Sequence, residues 1–377
     1  MRIAIDASNL LDGGGITHLK ELLLEFSNIN NTEFIVMVGS NSPFRTYAAD
    51  NIKIEKIDAF NRNVFFRNYW LYSNSEKWLI DKKVDILFNP GGGYIGSFKP
   101  YVTMCRNMLI FQSSQRKLYG FSKTFLRLKI LELVHSKSIK NASGTIFISE
   151  FAEKYVSKNL TELSNSVIIR HGVSNLFNIQ VKNQKAIESY SFNDPFKLLY
   201  VSIIDVYKHH IEVSKAVIRL RGEGYPIEIN FIGGNYAPAL EELNSVLSEL
   251  DPEGRGIHLL GKMKYAELQE YYRNSDAFVF ASSCENMPNI LIEAMRSGLP
   301  IACSKSDPMP EFLKDGGHYF EPESSNSIYN CLLELITDHS KRSAKATLSK
   351  AYSEAYSWKK CADETMTYLT KIAYKNN

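Results

Sequence analysis

The sequence has little of what marks a special environment. Its 377 residues include five cysteines, and Cys105, Cys284, Cys303, Cys331 and Cys361 form no C-x-x-C pair. An odd number of cysteines, most of them inside apolar runs such as LPIAC and YVTMC, gives no support to a disulfide framework or a zinc site. They read as small buried hydrophobes in a reducing compartment, so a cytoplasmic location is expected. No apolar run reaches the roughly 18–20 residues of a membrane-spanning helix. The opening MRIAIDASNL carries Asp6 early and lacks the long apolar core of a signal peptide. Two phosphate-binding fingerprints are also missing. No G-x-G-x-x-G follows the first strand, because position 18 is His18, and no G-K-[ST] closes a P-loop.

What is present is ordinary in bulk and uneven in distribution. At 44% apolar and 23% charged, the chain is neither disordered nor collagen-like. At roughly 100–200 residues per domain, its length suggests about two or three domains. The net charge of +3 conceals an asymmetry: residues 1–175 carry +7 and residues 176–377 carry −4. The stretch 106–140 alone holds eight Lys or Arg against Glu132, interleaved with Leu, Ile and aromatic residues. It reads either as a solvated basic face over a buried apolar one, or as a surface that rests on an anionic membrane. No nucleic-acid motif accompanies it, so nucleic acid is not an expected partner.

Short apolar, β-branched runs alternate with longer amphipathic ones. Candidate strands are 2–6, 34–38, 52–57, 84–88, 101–105, 144–148 and 167–170, then 197–204, 227–232, 257–260, 276–281 and 299–303. Candidate helices are 16–26, 209–222, 239–250, 265–275 and 289–298. Continuous apolar strands suit parallel sheets covered on both faces. The segment 174–195 is polar, lacks a period and ends in Pro195, so it reads as a linker. The expected fold is α/β: two Rossmann-like doubly wound domains facing a central cleft, each binding ligands at its strands' carboxyl ends.

Three strand-to-helix turns carry candidate chemistry. In CENMPNILIEAM (284–295), Pro288 suits the first turn of a helix that Gly298 and Pro300 end. Glu285 in the turn and Glu293 in the helix are carboxylates that accept hydrogen bonds from sugar hydroxyls, or else ordinary helix charges. In YVSIIDVYKHH (200–210), Lys208 is either a solvated lysine or a cation for a phosphate. In DGGGI (12–16), the glycines permit close approach of a phosphate, or form a plain flexible loop.

These motifs resemble the retaining glycosyltransferases of family 4, which have the GT-B fold. The resemblance rests on ENMPNILIEA with its E-x7-E spacing, on GLPIACS and MPEFL after it, and on DASNLLDGGGITHLKELL, YVSIIDVYKHH, LLGKMKYAELQEYYRNSDAFVFASS and HGV at 171–173. It implies an N-terminal acceptor domain over 1–173, a donor domain over 174–357, and a C-terminal helix, about 358–377, packing back on the first. It also implies a GDP- or UDP-hexose donor. Glu285 would contact the transferred sugar, backbone groups of Asn286, Met287, Pro288 and Asn289 the sugar and diphosphate, and Glu293 the ribose. Lys208 would neutralise the phosphates, Gly14 and Gly15 would approach the diphosphate, and Gly261 and Lys262 would lie along the base. No metal and no cofactor is implied, which fits the absence of an aspartate-rich motif.

The sequence departs from the family pattern in two places. Many members carry an Arg five residues before the lysine, where this chain has Ile203. Many carry a His after the fifth strand, where this chain has Cys105-Arg106-Asn107. Arg106 is therefore a replacement cation, an acceptor contact or a structural arginine. His171 reads as a hinge residue and Glu311 as a helix-start charge. The expected activity is retaining hexosyl transfer to a glycan, expected to be lipid-linked as in O-antigen or capsule synthesis, by an enzyme peripheral at the inner membrane face. A sugar-nucleotide epimerase or phosphorylase, or a non-catalytic nucleotide-sugar-binding protein of the same fold, stands as the alternative.

Overall fold

The computed structural model describes residues 1–10, 13–160, 163 and 165–375. Asp12 of the glycine-rich turn and the last two residues of the expected C-terminal helix lie outside the described residues. The chain divides into two compact units. Met1–Arg116, Gly120–Gly172 and Tyr356–Asn377 form the first, and Lys117–Tyr119 with Val173–Ala355 form the second.

The first unit is built on Arg2–Asp6 (β1), Glu33–Val38 (β2), Ile52–Lys56 (β3), Ile86–Asn89 (β4), Tyr101–Cys105 (β5), Gly144–Phe147 (β6) and Ser166–Ile168 (β7). They form one sheet in the order β3-β2-β1-β4-β5-β6-β7, with every pairing parallel. Helices Gly14–Phe26 (α1), Val64–Ser73 (α2), Ser75–Asp81 (α3), Ser113–Lys117 (α4), Lys123–Asn141 (α5) and Glu150–Asn159 (α6) lie between the strands. The apolar stripe of α1 is fully buried at Leu19, Leu22, Leu23 and Phe26.

The second unit repeats the plan with Phe196–Val201 (β8), Ile227–Ile232 (β9), Ile257–Gly261 (β10), Ala277–Phe280 (β11), Ile301–Ser304 (β12) and His318–Phe320 (β13). Their order is β10-β9-β8-β11-β12-β13, again all parallel. Its helices are His210–Gly222 (α7), Ala237–Leu250 (α8), Tyr265–Asn274 (α9), Asn289–Arg296 (α10), Met309–Leu313 (α11), Ser325–Thr337 (α12) and His339–Ser353 (α13). Trp358–Lys375 (α14) then belongs to the first unit, where it packs on α1. In each sheet the strand order reverses once, between β1 and β4 and between β8 and β11. Crevices at such reversals take ligands in doubly wound folds.

Two expectations need correction. The segment 174–195 is not a free linker. Phe177 and Ile187 are buried, and the fully buried Arg342 donates to Gln184 Oε1 at 2.7 Å and to the Lys185 carbonyl. An irregular polar segment supplies the acceptors that a buried guanidinium requires. Within 106–140, Arg116 is buried and pairs with Glu132 at 2.9 Å, so it is no part of a basic surface. Among the described residues, no helix is long and apolar enough to cross a membrane.

Candidate active site

The site grows from the two strands that flank the reversal in the second sheet. After β8 the chain passes Ser202 and Ile204, and Asp205 caps a short 3-10 turn over Val206–Lys208, accepting from Val206 N at 2.8 Å. Tyr119 Oη also donates to Asp205, at 3.0 Å. His209 then adopts a left-handed conformation (φ 51°), which re-aims the chain into α7. This turn fixes Lys208 at both ends. Tyr200 Oη donates to the Lys208 carbonyl at 2.8 Å, and the ammonium is ion-paired with Glu285. The Lys208 side chain is 7% exposed and that of Glu285 17%. The Nζ also lies 4.8 Å from the Tyr207 ring centre and 5.4 Å from that of Phe280, so aromatic faces help hold the charge.

Glu285 is delivered by the turn after β11. Ser283 ties this turn to the first, donating from its N–H to the Tyr207 carbonyl at 2.9 Å and meeting His209 Nε2 at 2.9 Å. Burial pushes His209 down to about 4 and, with Lys208 and His209 adding, His210 to about 3. Both imidazoles are therefore neutral near pH 7, and Lys208 is the cation of this turn. Pro288 stands at the N-cap of α10, one position before its expected place in the first helical turn. Its carbonyl accepts from Leu291 N and Ile292 N. Asn286, Met287 and Pro288 are buried, and Asn289 is half-buried.

Glu293 projects from α10 into a dry aromatic setting. Tyr265 Oη donates to one carboxylate oxygen at 2.9 Å and Tyr272 Oη to the other at 3.3 Å. Burial pushes the carboxyl up to about 7, against the two tyrosine hydrogen bonds that favour its charged form. Phe177 packs edge-on against both tyrosines, with ring centres 5.3 and 5.0 Å apart. A residue of the supposed linker thus braces the groups that hold Glu293. The other end of α10 is closed by Gly298 at φ +66°, where a Cβ would come within 2.9 Å of Val181 Cγ2.

The residues expected along the base are open. Gly261 ends β10 at φ +71° with nothing near a would-be Cβ, and its carbonyl accepts from Gly233 N at 2.9 Å. Lys262 is exposed. Gly233, which the sequence reading passed over, is packed on the Ser202 carbonyl so tightly that a Cβ would sit 1.9 Å from it. Ile203 is 42% exposed.

The first unit brings Arg106 and the glycine turn together. Gly13 is the N-cap of α1 and takes the positive φ (65°), while Gly14 and Gly15 begin the helix. Arg106 Nη1 lies 3.0 Å from where a Cβ on Gly15 would stand, so the missing side chain makes room for the guanidinium. Burial pushes Arg106 down to about 10, which leaves it charged at neutral pH. His18, fully buried and held well below its ordinary value, stacks near His171 at 4.5 Å between ring centres. Gly172 next to it meets the Ser357–Trp358 backbone, so the chain segments that leave and rejoin the first unit touch there. Glu311 is half-buried in the first turn of α11. Tyr119, Tyr265, Tyr272 and Phe177 escaped the sequence reading because their partners are 21 to 95 positions away, beyond any local spacing rule.

The chain is similar to known proteins along several stretches. It is 28% identical over 110 residues to "O-antigen chain mannosyltransferase B" of Escherichia coli, covering 29% of each chain. It is 27% identical over 198 residues, 52% of each chain, to a Campylobacter jejuni "N-acetylgalactosamine-N,N'-diacetylbacillosaminyl-diphospho-undecaprenol 4-alpha-N-acetylgalactosaminyltransferase". These matches span about a third to a half of the relatives' length. Among solved structures, sucrose-phosphate synthase from Thermosynechococcus elongatus superposes with a TM-score of 0.78 over 100% of both chains, at 14% identity. That likeness is one of fold: two Rossmann-like parallel-sheet domains, as in GT-B glycosyltransferases. The model of the family "Glycosyl transferases group 1" matches residues 182–351, a stretch that lies within the second unit.

Proposed function

We propose that this protein is a retaining, metal-independent glycosyltransferase of family 4 type. It moves a hexose from a GDP- or UDP-sugar to a glycan acceptor, lipid-linked, in the assembly of a surface polysaccharide. The observation that carries the reading is the ion pair of buried Lys208 with half-buried Glu285 at the reversal of the second sheet, with Glu293 held in the helix that follows. The similarity to O-antigen and diphospho-undecaprenol-dependent transferases supports the acceptor class.

In this reading the donor diphosphate takes Lys208 as its cation, in part exchange for Glu285, which turns to the hydroxyls of the transferred sugar. The backbone of Asn286–Asn289 holds sugar and diphosphate, Gly261 and Lys262 flank the base, and Glu293 accepts from the ribose. On the first unit, exposed Gly14 permits close backbone approach of a phosphate, and buried Gly15 leaves room for Arg106, which supplies the positive charge that Ile203 does not. The bond between the anomeric carbon and the diphosphate oxygen breaks as the acceptor oxygen bonds the same face of that carbon. The acceptor proton passes to the departing phosphate oxygen. Fixed charges stabilise the negative leaving group and need no reorganisation at the moment of reaction. The exposed basic residues within 117–140 serve an anionic membrane surface, where a lipid-linked acceptor resides.

Turnover of UDP- and GDP-hexoses tests the reading. Wild-type protein should consume one of them with chelator present, and Lys208→Ala should not. Donor binding without turnover in the wild type would favour a nucleotide-sugar-binding protein, for which exposed Ile203 in place of an Arg speaks.

A further inference from the structure

Helix α2 wears its amphipathic pattern inside out. Phe65, Tyr69 and Tyr72, spaced i, i+4, i+7 on one face, are 74%, 61% and 71% exposed. Leu71, about a third of a turn away, is buried. From Arg62 to Ser75 there is no acidic residue, and Arg62 and Arg67 are the charges. Helix α5 repeats the arrangement: Leu126, Ile130 and Leu133, again i, i+4, i+7, are 61%, 53% and 71% exposed, while Leu128 and Ile139 are buried. At about 100° per residue, Lys123 and Arg127 flank that stripe on one side and Lys129 and Lys140 on the other. Glu132 points elsewhere, into its pair with Arg116.

The two helices cover the same face of the first sheet. Leu71 of α2 and Leu79 of α3 join the core cluster of Tyr94 and Tyr101. Tyr94 Oη meets Ser75 Oγ at 3.0 Å, while Tyr94 N donates to Ser138 Oγ of α5 at 3.1 Å. Their outer stripes therefore belong to one outward surface of the first unit. A water-facing helix stripe is ordinarily polar, and two apolar stripes on one face mark a contact surface.

We infer that this surface docks on an anionic lipid bilayer, with the α2 aromatics entering the headgroup boundary and the α5 basic residues pairing with lipid phosphates. Exposed aromatic and aliphatic stripes flanked by long cationic side chains suit an interface that is apolar on one side and negatively charged at its rim. A symmetric pairing of two copies would instead set like charges against each other. The inference sharpens the membrane part of the proposed function by moving its apolar anchor to α2, outside 106–140, and it stands apart from the transferase chemistry.

Co-flotation with phosphatidylcholine vesicles, with and without phosphatidylglycerol, tests it. Wild-type protein should float with the anionic vesicles at low salt and stay down with the neutral ones. Phe65→Ser/Tyr69→Ser/Tyr72→Ser should cut partitioning at least about tenfold. Lys123→Gln/Arg127→Gln should cut it about twenty-fivefold, at about fivefold per charge. These side chains are exposed, so unchanged thermal unfolding should accompany both losses. No flotation of the wild type, equal flotation on neutral vesicles, variants that float like wild type, or a dimer in light scattering that the α2 variant dissociates would each overturn the inference. Thermal stabilisation by nucleotide sugars, measured on the same samples, separates the two readings. Stabilisation without flotation sinks the docking surface alone, and flotation without stabilisation sinks the transferase alone.

Discussion

Tyr265→Phe isolates one hydrogen bond of the proposed donor site. The ring stays, with its edge contact to Phe177, and only the hydroxyl that donates to Glu293 at 2.9 Å is lost. Glu293 sits at about 7 because burial outweighs two tyrosine hydrogen bonds. A hydrogen bond to a charged group is worth about 1.5 kcal/mol, and a pKa unit about 1.4, so the variant's carboxyl should rise by about one unit. On the proposed reading, ribose hydroxyls donate more strongly to the carboxylate than to the protonated acid, whose remaining acceptor oxygen is neutral. Near pH 7 the ionised share would drop from about a half to about a tenth, weakening donor binding by up to about fivefold. Calorimetric titration of the nucleotide sugar from about pH 5.5 to about pH 9 measures it. Wild-type affinity should rise with pH through about 7, with proton release on binding, and the variant curve should lie about one unit higher and converge in alkali. The same group makes the free protein less stable as pH rises from its ordinary 4.5 toward about 7, because the folded chain keeps a proton the unfolded chain has released. A wild-type affinity independent of pH, or two curves parallel at every pH, would refute the reasoning.

Lys208→Ala should lower turnover at least about a hundredfold, the scale for removing a preorganised charge at a leaving group, and steady-state kinetics on the identified donor measure it. Turnover near wild type would remove Lys208 from the chemistry. Phe177→Ala should cost about 3–5 kcal/mol in denaturant unfolding and raise the donor KM, because it unbraces Tyr265 and Tyr272; an unchanged KM in the folded variant would return 174–195 to a purely structural role. Gly298→Ala, at φ +66° and against Val181, should destabilise by about 1–3 kcal/mol, and a thermal midpoint equal to wild type would contradict the cap.

Much of the fold is legible along the chain because buried parallel strands announce themselves as short apolar runs. RIAID, YVTMC and IEINFI are read at their observed bounds. His318–Phe320 is missed, because three residues after a glycine turn give no period to detect. In the site, Glu285, Lys208 and Glu293 stand out on local spacing, since each lies in or just beyond a strand-to-helix turn. Their pairing does not, because Lys208 and Glu285 are 77 positions apart and meet only through the adjacency of β8 and β11. The linker reading of 174–195 fails for a related reason. Its polar residues look solvated until Arg342, more than 150 positions on, proves to need their acceptors. Helix α2 is absent from the candidate helices, because VFFRNYWLYS carries apolar and aromatic residues on nearly every face and so shows no one-sided period.

The central claim is transfer with retention at the second unit, and the anomer of the released sugar tests it without knowledge of the acceptor. Water can stand in for the acceptor hydroxyl, so slow hydrolysis of an α-configured nucleotide sugar, followed by proton NMR before mutarotation, reports which face is attacked. The account predicts the α-anomer first, in a reaction that Lys208→Ala abolishes. A β-anomer formed first would contradict it.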